Sequence, residues 1–194
     1  LMDLWSRFTN RVQVYGSLDH FGDKAEYIRT GTKWEEVMKN YRTLLESDVT
    51  QLSITTSVSL FNYGSLTSFF DYLIDQNIAP WNEPNRGAWQ INPIYGPEEL
   101  SFQAMPMHMK EKFAEQHLEY FTTLKKLRKN PNKIMFAQVE QLMRSVESLH
   151  VLAKSTDKWD QIQDRFINEV KKIDNRRGED FKKVFPELAE LLLK

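Results

Sequence analysis

The stretch that decides the fold is Leu52-Ser53-Ile54-Thr55-Thr56-Ser57-Val58-Ser59-Leu60, in which Leu, Ile, Thr, Val and Leu occupy every second position. This alternation, in a segment rich in β-branched residues, predicts a β-strand. A shorter alternation, Val12-Gln13-Val14-Tyr15, ends at Gly16-Ser17 and predicts an earlier strand. Parallel pairing is favoured for two strands that are separated by a helix-length connection.

Helical patterns follow each of these strands or precede the next. Apolar residues at helical spacing run from Trp34 to Leu45, where Thr32 and Glu35 fit a capping box, and a second set runs from Leu66 to Leu73 with Ser65 as the expected cap. The chain is therefore predicted to be α/β, with strands at about 11–17, 51–60 and 88–94 in a first region, 1–105. The region 106–194 is predicted to be mainly helical, its last helix interrupted by Pro186.

The composition excludes several classes of function. The 194 residues include no cysteine, so this chain forms no disulfide, cysteine nucleophile, Cys-ligated zinc site or cluster held by its own thiolates. The net charge of -1 argues against nucleic acid as a partner. No apolar run approaches the roughly 18–20 residues of a membrane span, and no signal peptide is recognisable, so a cytoplasmic location is expected.

Two further patterns favour a structural interpretation. Asn82-Glu83-Pro84 resembles the motif at a strand end of barrel glycosidases, but a retaining enzyme needs a second carboxylate about 5–5.5 Å away, and no later strand pattern ends in a glutamate. A Pro/Asn-rich surface loop is the favoured alternative. The four histidines, His20, His108, His117 and His150, show no metal-ligand spacing and are expected to be scattered, so no metal site is predicted.

Polar residues follow the first strand, where ligands bind in parallel α/β folds. Ser17 and Asp19 lie on one side of an extended segment and suit a polyol such as ribose, while Arg29 offers a planar fork for a carboxylate. The alternative is structural: Ser17 ends the strand, Asp19 makes an Asx turn, and Arg29 pairs with Glu26 or Asp23.

A longer series of motifs runs through the chain in order. It comprises Ser17-Leu18-Asp19, Ala25-Glu26-Tyr27-Ile28-Arg29-Thr30-Gly31-Thr32, Trp34-Glu35-Glu36-Val37 with Asn40, Thr56-Ser57-Val58-Ser59 with Asn62, Asn92-Pro93-Ile94-Tyr95, Pro97-Glu98-Glu99-Leu100-Ser101, Met105-Pro106 with Lys110, Ile173-Asp174-Asn175-Arg176-Arg177-Gly178 and Phe185-Pro186-Glu187-Leu188. In this order the motifs resemble radical S-adenosylmethionine (SAM) enzymes that carry a twitch or SPASM accessory region.

The resemblance implies a fold and a chemistry. The fold would be the carboxyl-terminal half of a partial (β/α)6 barrel followed by a helical accessory region. In the family, a [4Fe–4S] cluster on a Cys-x3-Cys-x2-Cys loop cleaves SAM, and the 5′-deoxyadenosyl radical takes hydrogen from a substrate. The resemblance implies cofactor contacts at Ser17 and Arg29, loop orientation by Asp19, and a cavity-lining position for Asn62. It assigns no catalytic residue to this chain.

The cysteine loop and the first strands of the family are absent from this sequence. We therefore expect a fragment that is inert alone, whose partners are the missing amino-terminal half and a small-molecule or peptide substrate. Exposed strand edges would favour self-association. Two alternatives stay open: a non-catalytic α/β plus helical protein-binding module, and a glycoside-hydrolase-like barrel that uses Glu83.

Overall fold

The fold is a small parallel sheet within a mainly helical chain. A computed structural model describes residues 2–78, 89–127 and 133–193, with the backbone alone at 125–127 and 133–139. The elements in order are α1 (Met2–Trp5), β1 (Val12–Ser17), α2 (Gly22–Ile28), α3 (Trp34–Leu45), β2 (Thr50–Val58), α4 (Leu66–Asp75), β3 (Trp89–Pro93), α5 (Met107–Leu127), α6 (Lys133–Lys154), α7 (Trp159–Arg177), α8 (Phe181–Val184) and α9 (Pro186–Leu192). The described chain is mostly helical around its parallel sheet, and the predicted α/β class is confirmed.

The sheet has the strand order β1-β2-β3, and both pairs of neighbours are parallel. In its register Gly16 pairs with Ile54 and Ile54 with Trp89, so residues of the three strands form rows across the sheet. Each strand therefore lies beside the next one in the chain, with α2 and α3 in the first connection and α4 in the described part of the second. The carboxyl ends of β1 and β2 consequently lie side by side.

One face of the sheet is apolar and covered by helices. Leu52, Ile54 and Val58 are buried on it, and the indole of Trp89 meets the ring of Phe70 edge-on at 4.4 Å between centroids. A Cβ at Gly16 would lie 2.9 Å from Cε2 of Tyr41, so glycine is what allows α3 to approach β1 this closely. Both α3 and α4 thus pack on the same side of the sheet.

The other side of the sheet, called the open face here, is polar. Its side chains are Gln13, Tyr15, Ser17, Gln51, Ser53, Thr55, Ser57, Gln90 and Asn92. Among the strand residues that the structure describes, this face has no charged side chain. At the centre of the open face, Tyr15 is 49% exposed, while Ser53 beside it is fully buried.

The helices after β3 close onto α2 through an aromatic cluster. The ring of Tyr27 lies edge-on to Phe61 and Phe185, and Phe61 stacks on Phe185 at 5.5 Å between centroids. Phe181 completes the cluster and is fully buried. The carboxyl-terminal helices are therefore packed against the region that carries the strand-end loops.

The sequence expectations about helix ends hold for the positions of Ser65 and Pro186, whereas the expected capping box of α3 is wrong. Lys33 is the N-cap of α3, and no capping box forms, because the backbone N–H of Trp34 donates instead to Glu26 Oε1 of α2 at 2.7 Å. Ser65 is the N-cap of α4, as expected, but its side chain makes no capping hydrogen bond. The last helical stretch is divided at Pro186, as expected: α8 ends before Phe185, and Pro186 is the first residue of α9, where its missing N–H costs nothing.

None of the helices in the described ranges combines the length and the apolar content that a membrane span requires.

Candidate functional site

The candidate site is the edge of the sheet where β1 and β2 end. Ser17 is the last residue of β1 and pairs with Thr55 of β2, and the chain leaves both strands in short loops. Ligands of parallel α/β proteins bind at such edges, because loop side chains there rest on a rigid sheet.

The buried carboxylate of Asp19 joins the two loops. Its Oδ1 accepts a hydrogen bond from the backbone N–H of Ser57 at 2.7 Å, and its Oδ2 accepts one from Nε of Arg29 at 2.5 Å. Asp19 is only 4% exposed, so both of its oxygens serve the protein. The predicted pairing of Arg29 with Glu26 or Asp23 is wrong, since its ion pair is with Asp19.

Arg29 is a charged side chain at this edge that is available to a ligand. Its side chain is 42% exposed, and Nε is the atom held by Asp19. Its two Nη groups have no hydrogen-bond partner in the described part of the chain. A guanidinium anchored through Nε and free at Nη presents a planar pair of donors, which is the geometry that binds a carboxylate or phosphate with two parallel hydrogen bonds.

The side-chain amide of Asn62 joins the loops that follow β1 and β2. Its Nδ2 donates to the backbone oxygens of Asp19 and Ser57, at 2.9 Å each, and its Oδ1 accepts from the backbone N–H of Ser59 at 2.8 Å. The residue is fully buried. Because its amide is satisfied by these backbone groups, Asn62 positions the loops rather than facing solvent.

His20 adds a further bond between the loops and α4. Its Nδ1 accepts from the backbone N–H of Phe21 at 2.9 Å, and its Nε2 lies 3.0 Å from Oγ of Ser65. Burial, with a contribution from the Lys24 ammonium, lowers the pKa of His20 to about 3. The imidazole is therefore neutral at physiological pH, with Nε2–H as the donor to Ser65.

Ser17 borders this edge from the open face. It is exposed, and its hydroxyl makes no hydrogen bond to any described residue. One row back along the strands, beside Tyr15, Oγ of Ser53 is buried without a partner among the described residues. The site thus combines unengaged hydroxyls on the sheet with a guanidinium at its rim.

The structure brings three of the predicted site residues together and places the fourth beside them. Asp19, Arg29 and Asn62 belong to one hydrogen-bonded group, and Ser17 adjoins it on the open face. The sequence prediction missed the open face, although the alternation of Gln51, Ser53, Thr55 and Ser57 indicates a polar side of β2. Glu83 lies outside the described residues.

The histidines are less scattered than predicted. Nδ1 of His117 on α5 lies 3.1 Å from Nε2 of His150 on α6, so the buried His117 pairs with the partly buried His150. Within the described ranges, no cluster of three or more His, Cys, Asp or Glu side chains could hold a metal ion.

Comparisons with known proteins give no assignment, because no protein-family model, no curated protein and no solved structure matches the chain.

Proposed function

We propose that the chain is the carboxyl-terminal part of a radical SAM iron–sulfur oxidoreductase and that the candidate site contacts SAM in the full-length protein. In that protein SAM would supply the 5′-deoxyadenosyl radical that takes hydrogen from a small-molecule or peptide substrate. Such a protein belongs in the reducing cytoplasm. Alone, the chain is expected to be inert.

The observation that carries the proposal is the contrast between the two faces of the sheet. The three parallel strands follow one another in chain order, with α3 and α4 on one side, and this supports the proposal of a partial β/α barrel. In a barrel the side away from the helices faces the interior. An uncovered face of amides and hydroxyls suits an interior that holds a polar ligand, whereas an apolar face would suit a packed core.

The residues at the strand ends fit the parts of SAM. The free Nη donors of Arg29 suit its carboxylate, and the exposed hydroxyl of Ser17 suits its ribose. Asp19 and Asn62 would act one step away, since they hold the loops on which these groups stand. The residues of this chain do not fit an iron–sulfur cluster, because none is a cysteine; the proposal places the cluster ligands in another segment.

The edge of β1 supports a partner at this sheet. Within the described residues β1 has a strand neighbour on one side only. Leu4 and Phe8, which precede it, are 52% and 61% exposed. In the proposal the amino-terminal half of the same protein covers this edge; without that half, the edge would favour self-association.

The test begins with the gene. The reading frame upstream of Leu1 is expected to encode a Cys-x3-Cys-x2-Cys loop, and the longer protein, reconstituted anaerobically with iron and sulfide, is expected to release 5′-deoxyadenosine from SAM under a reductant. Arg29→Ala should weaken SAM binding about tenfold or more. Arg11→Ala, an exposed arginine at the opposite end of β1, is the matched control. An upstream frame without that loop, or equal SAM affinity in both variants, would overturn the proposal.

One observation favours the alternative of a protein-binding module. Leu118 on α5 and Val151 on α6 are 54% and 73% exposed. If the chain is such a module, charged substitutions at these two positions should abolish partner binding, while Arg29→Ala should leave it unchanged.

A further inference from the structure

The end of α7 is hydrogen-bonded to Tyr27 in the last turn of α2, through both the side chain and the backbone of Tyr27. The hydroxyl of Tyr27 donates to Oδ1 of Asp174 at 3.0 Å. Nη1 of Arg177 donates to the backbone oxygen of the same Tyr27 at 2.7 Å. Two residues that are three apart on α7 therefore hold one residue of α2 from two directions.

Asp174 is itself fixed by the way α7 ends. Its carboxylate accepts the backbone N–H of Phe181 at 3.1 Å, and its backbone oxygen accepts the N–H of Gly178 at 2.8 Å. Gly178 has φ +66°, the left-handed conformation that closes a helix and that glycine adopts without strain. The acceptor for Tyr27 is thus part of a rigid helix terminus.

Tyr27 is buried in the aromatic cluster, so a shift of its ring would disturb the rings packed against it. It is 2% exposed, and its ring packs edge-on against Phe61 and Phe185. Burial and the hydrogen bond to Asp174 raise the pKa of Tyr27 above its usual value, so the phenol remains a donor.

Arg29 follows Tyr27 by two residues and is the C-cap of α2. Its backbone N–H donates to the oxygen of Ala25 at 3.1 Å. A rotation of the last turn of α2 would therefore displace the Cα of Arg29 relative to Asp19, whose own position is set by β2 through Ser57. The geometry of the bond from Nε of Arg29 to Asp19 therefore depends on the position of α2.

We propose that Tyr27, Asp174 and Arg177 are positioning residues that set the guanidinium of Arg29 for the carboxylate of its ligand. The proposal rests on the proposed function for the identity of that carboxylate, but the positioning itself is a property of this chain. It gives the carboxyl-terminal helices a part in ligand selectivity: they decide how well a carboxylate is distinguished from a group without charge.

The first test uses NMR on the 194-residue chain labelled with ¹⁵N. The Nε–Hε signal of Arg29, assigned from its loss in Arg29→Lys, reports the bond to Asp19. Tyr27→Phe and Arg177→Met should each speed its hydrogen exchange about fivefold, the factor for one hydrogen bond of ordinary strength. Arg176→Met, the exposed neighbour, is the matched control and should have no effect.

The amide of Ile54, in the middle of β2 and fully buried, separates positioning from global destabilisation. Its exchange should be unchanged in Tyr27→Phe, which keeps the aromatic ring in the core. An unchanged Arg29 signal in both variants, or an equal acceleration at Ile54, would overturn the proposal.

The second test uses the full-length protein and compares the dissociation constants of SAM and decarboxylated SAM. The wild type should prefer SAM about tenfold. In Arg177→Met this preference should fall several-fold, with the affinity for decarboxylated SAM unchanged. A wild type without preference contradicts the role of Arg29 in the proposed function, whereas a preference that Arg177→Met retains in full contradicts the positioning role alone.

Discussion

Nδ1 of His117 lies 3.1 Å from Nε2 of His150, and the two rings stack 5.4 Å apart with 15° between their planes. The pair joins α5 to α6 across 33 residues of sequence. Nε2 of His117 is buried without a partner among the described residues. A proton added at this nitrogen would be buried without an acceptor among these residues, so the neutral form of His117 is favoured.

The first prediction is acid sensitivity. Burial, with the neighbouring His150, lowers the pKa of His117 to about 3, and burial with Lys154 lowers that of His150 to about 4; His20 is lowered to about 3. The unfolded value of 6.5 is higher, so the unfolded chain takes up protons first. The contribution of these neutral histidines to the free energy of unfolding is fully present above pH 6.5. It is lost as the pH falls from 6.5 toward their folded pKa values of about 3 to 4. Between pH 7 and 5 each neutral histidine should cost about 2 kcal/mol in the free energy of unfolding.

Urea unfolding at pH 7, 6 and 5 measures this loss. The double variant His117→Gln/His150→Gln should show a smaller pH dependence than the wild type. His108→Gln, at an exposed histidine, should keep the full dependence. A wild type of equal stability at all three pH values would contradict the prediction.

The second prediction concerns the carboxylate at the strand ends. Asp19→Asn replaces one acceptor oxygen by an NH₂ group, which must face either the backbone N–H of Ser57 or Nε of Arg29. A buried donor facing a donor loses a charge-assisted bond, so the free energy of unfolding should fall by about 2 kcal/mol. Chemical denaturation measures the change, with Asp75→Asn, at an exposed position on α4, as the control. Equal stability of the two variants would show that Asp19 does not hold the loops.

The third prediction tests the cap of α3. Glu26→Gln keeps an oxygen for the N–H of Trp34 but removes the negative charge from the helix N-terminus. The charge-assisted bond and the helix dipole together should account for about 1 kcal/mol of stability. Thermal unfolding of Glu26→Gln and of Glu35→Gln, an exposed glutamate in the first turn of α3, gives the comparison. The idea fails if the Glu35 variant loses as much as the Glu26 variant.

The fourth prediction concerns a lysine inside the protein. Lys110 is fully buried, its Nζ donates to the backbone oxygen of Thr156 at 2.6 Å, and burial lowers its pKa. Methionine has a similar length without the desolvation cost of a charge, so Lys110→Met should retain stability, while Lys110→Ala should lose about 2 kcal/mol or more through the cavity.

Denaturation of these two variants and of the exposed control Lys112→Met decides which property of Lys110 stabilises the fold. Equal losses in Lys110→Met and Lys110→Ala would mean that the bond to Thr156, and not the packing of the stem, is what stabilises the junction.

The periodicity of the sequence was sufficient to predict the class of the fold. The two-residue alternation about Ile54 and the helical spacing from Trp34 to Leu45 are local properties, and the structure has a strand and a helix there. The cap of α3 could not be predicted in this way, since Glu26 belongs to the preceding helix. The same limit applies to the histidine pair, because no spacing along the chain shows which residues of α5 and α6 will face each other.

The sequence indicated which residues lie together at the candidate site, but not which of them are buried and which face solvent. The positions of Ser17, Asp19 and Arg29 just after a strand indicated a shared edge. That Asp19 would be buried, and Asn62 fully hydrogen-bonded beneath it, depends on the depth of each loop in the fold. The burial of a loop side chain cannot be deduced from the order of residues. The sequence therefore did not distinguish the exposed Ser17 and the partly exposed Arg29 from the buried Asp19 and Asn62 that support them.

The neutrality of the open face has a consequence for experiments on binding. A ligand held only by its amides and hydroxyls would bind with an affinity that changes little with ionic strength. Arg29, at the rim, is the group through which added salt would act. The salt dependence of the binding affinity therefore indicates where a ligand lies. An affinity that is independent of salt concentration indicates binding on the open face, and an affinity that falls with added salt indicates an anionic group at Arg29.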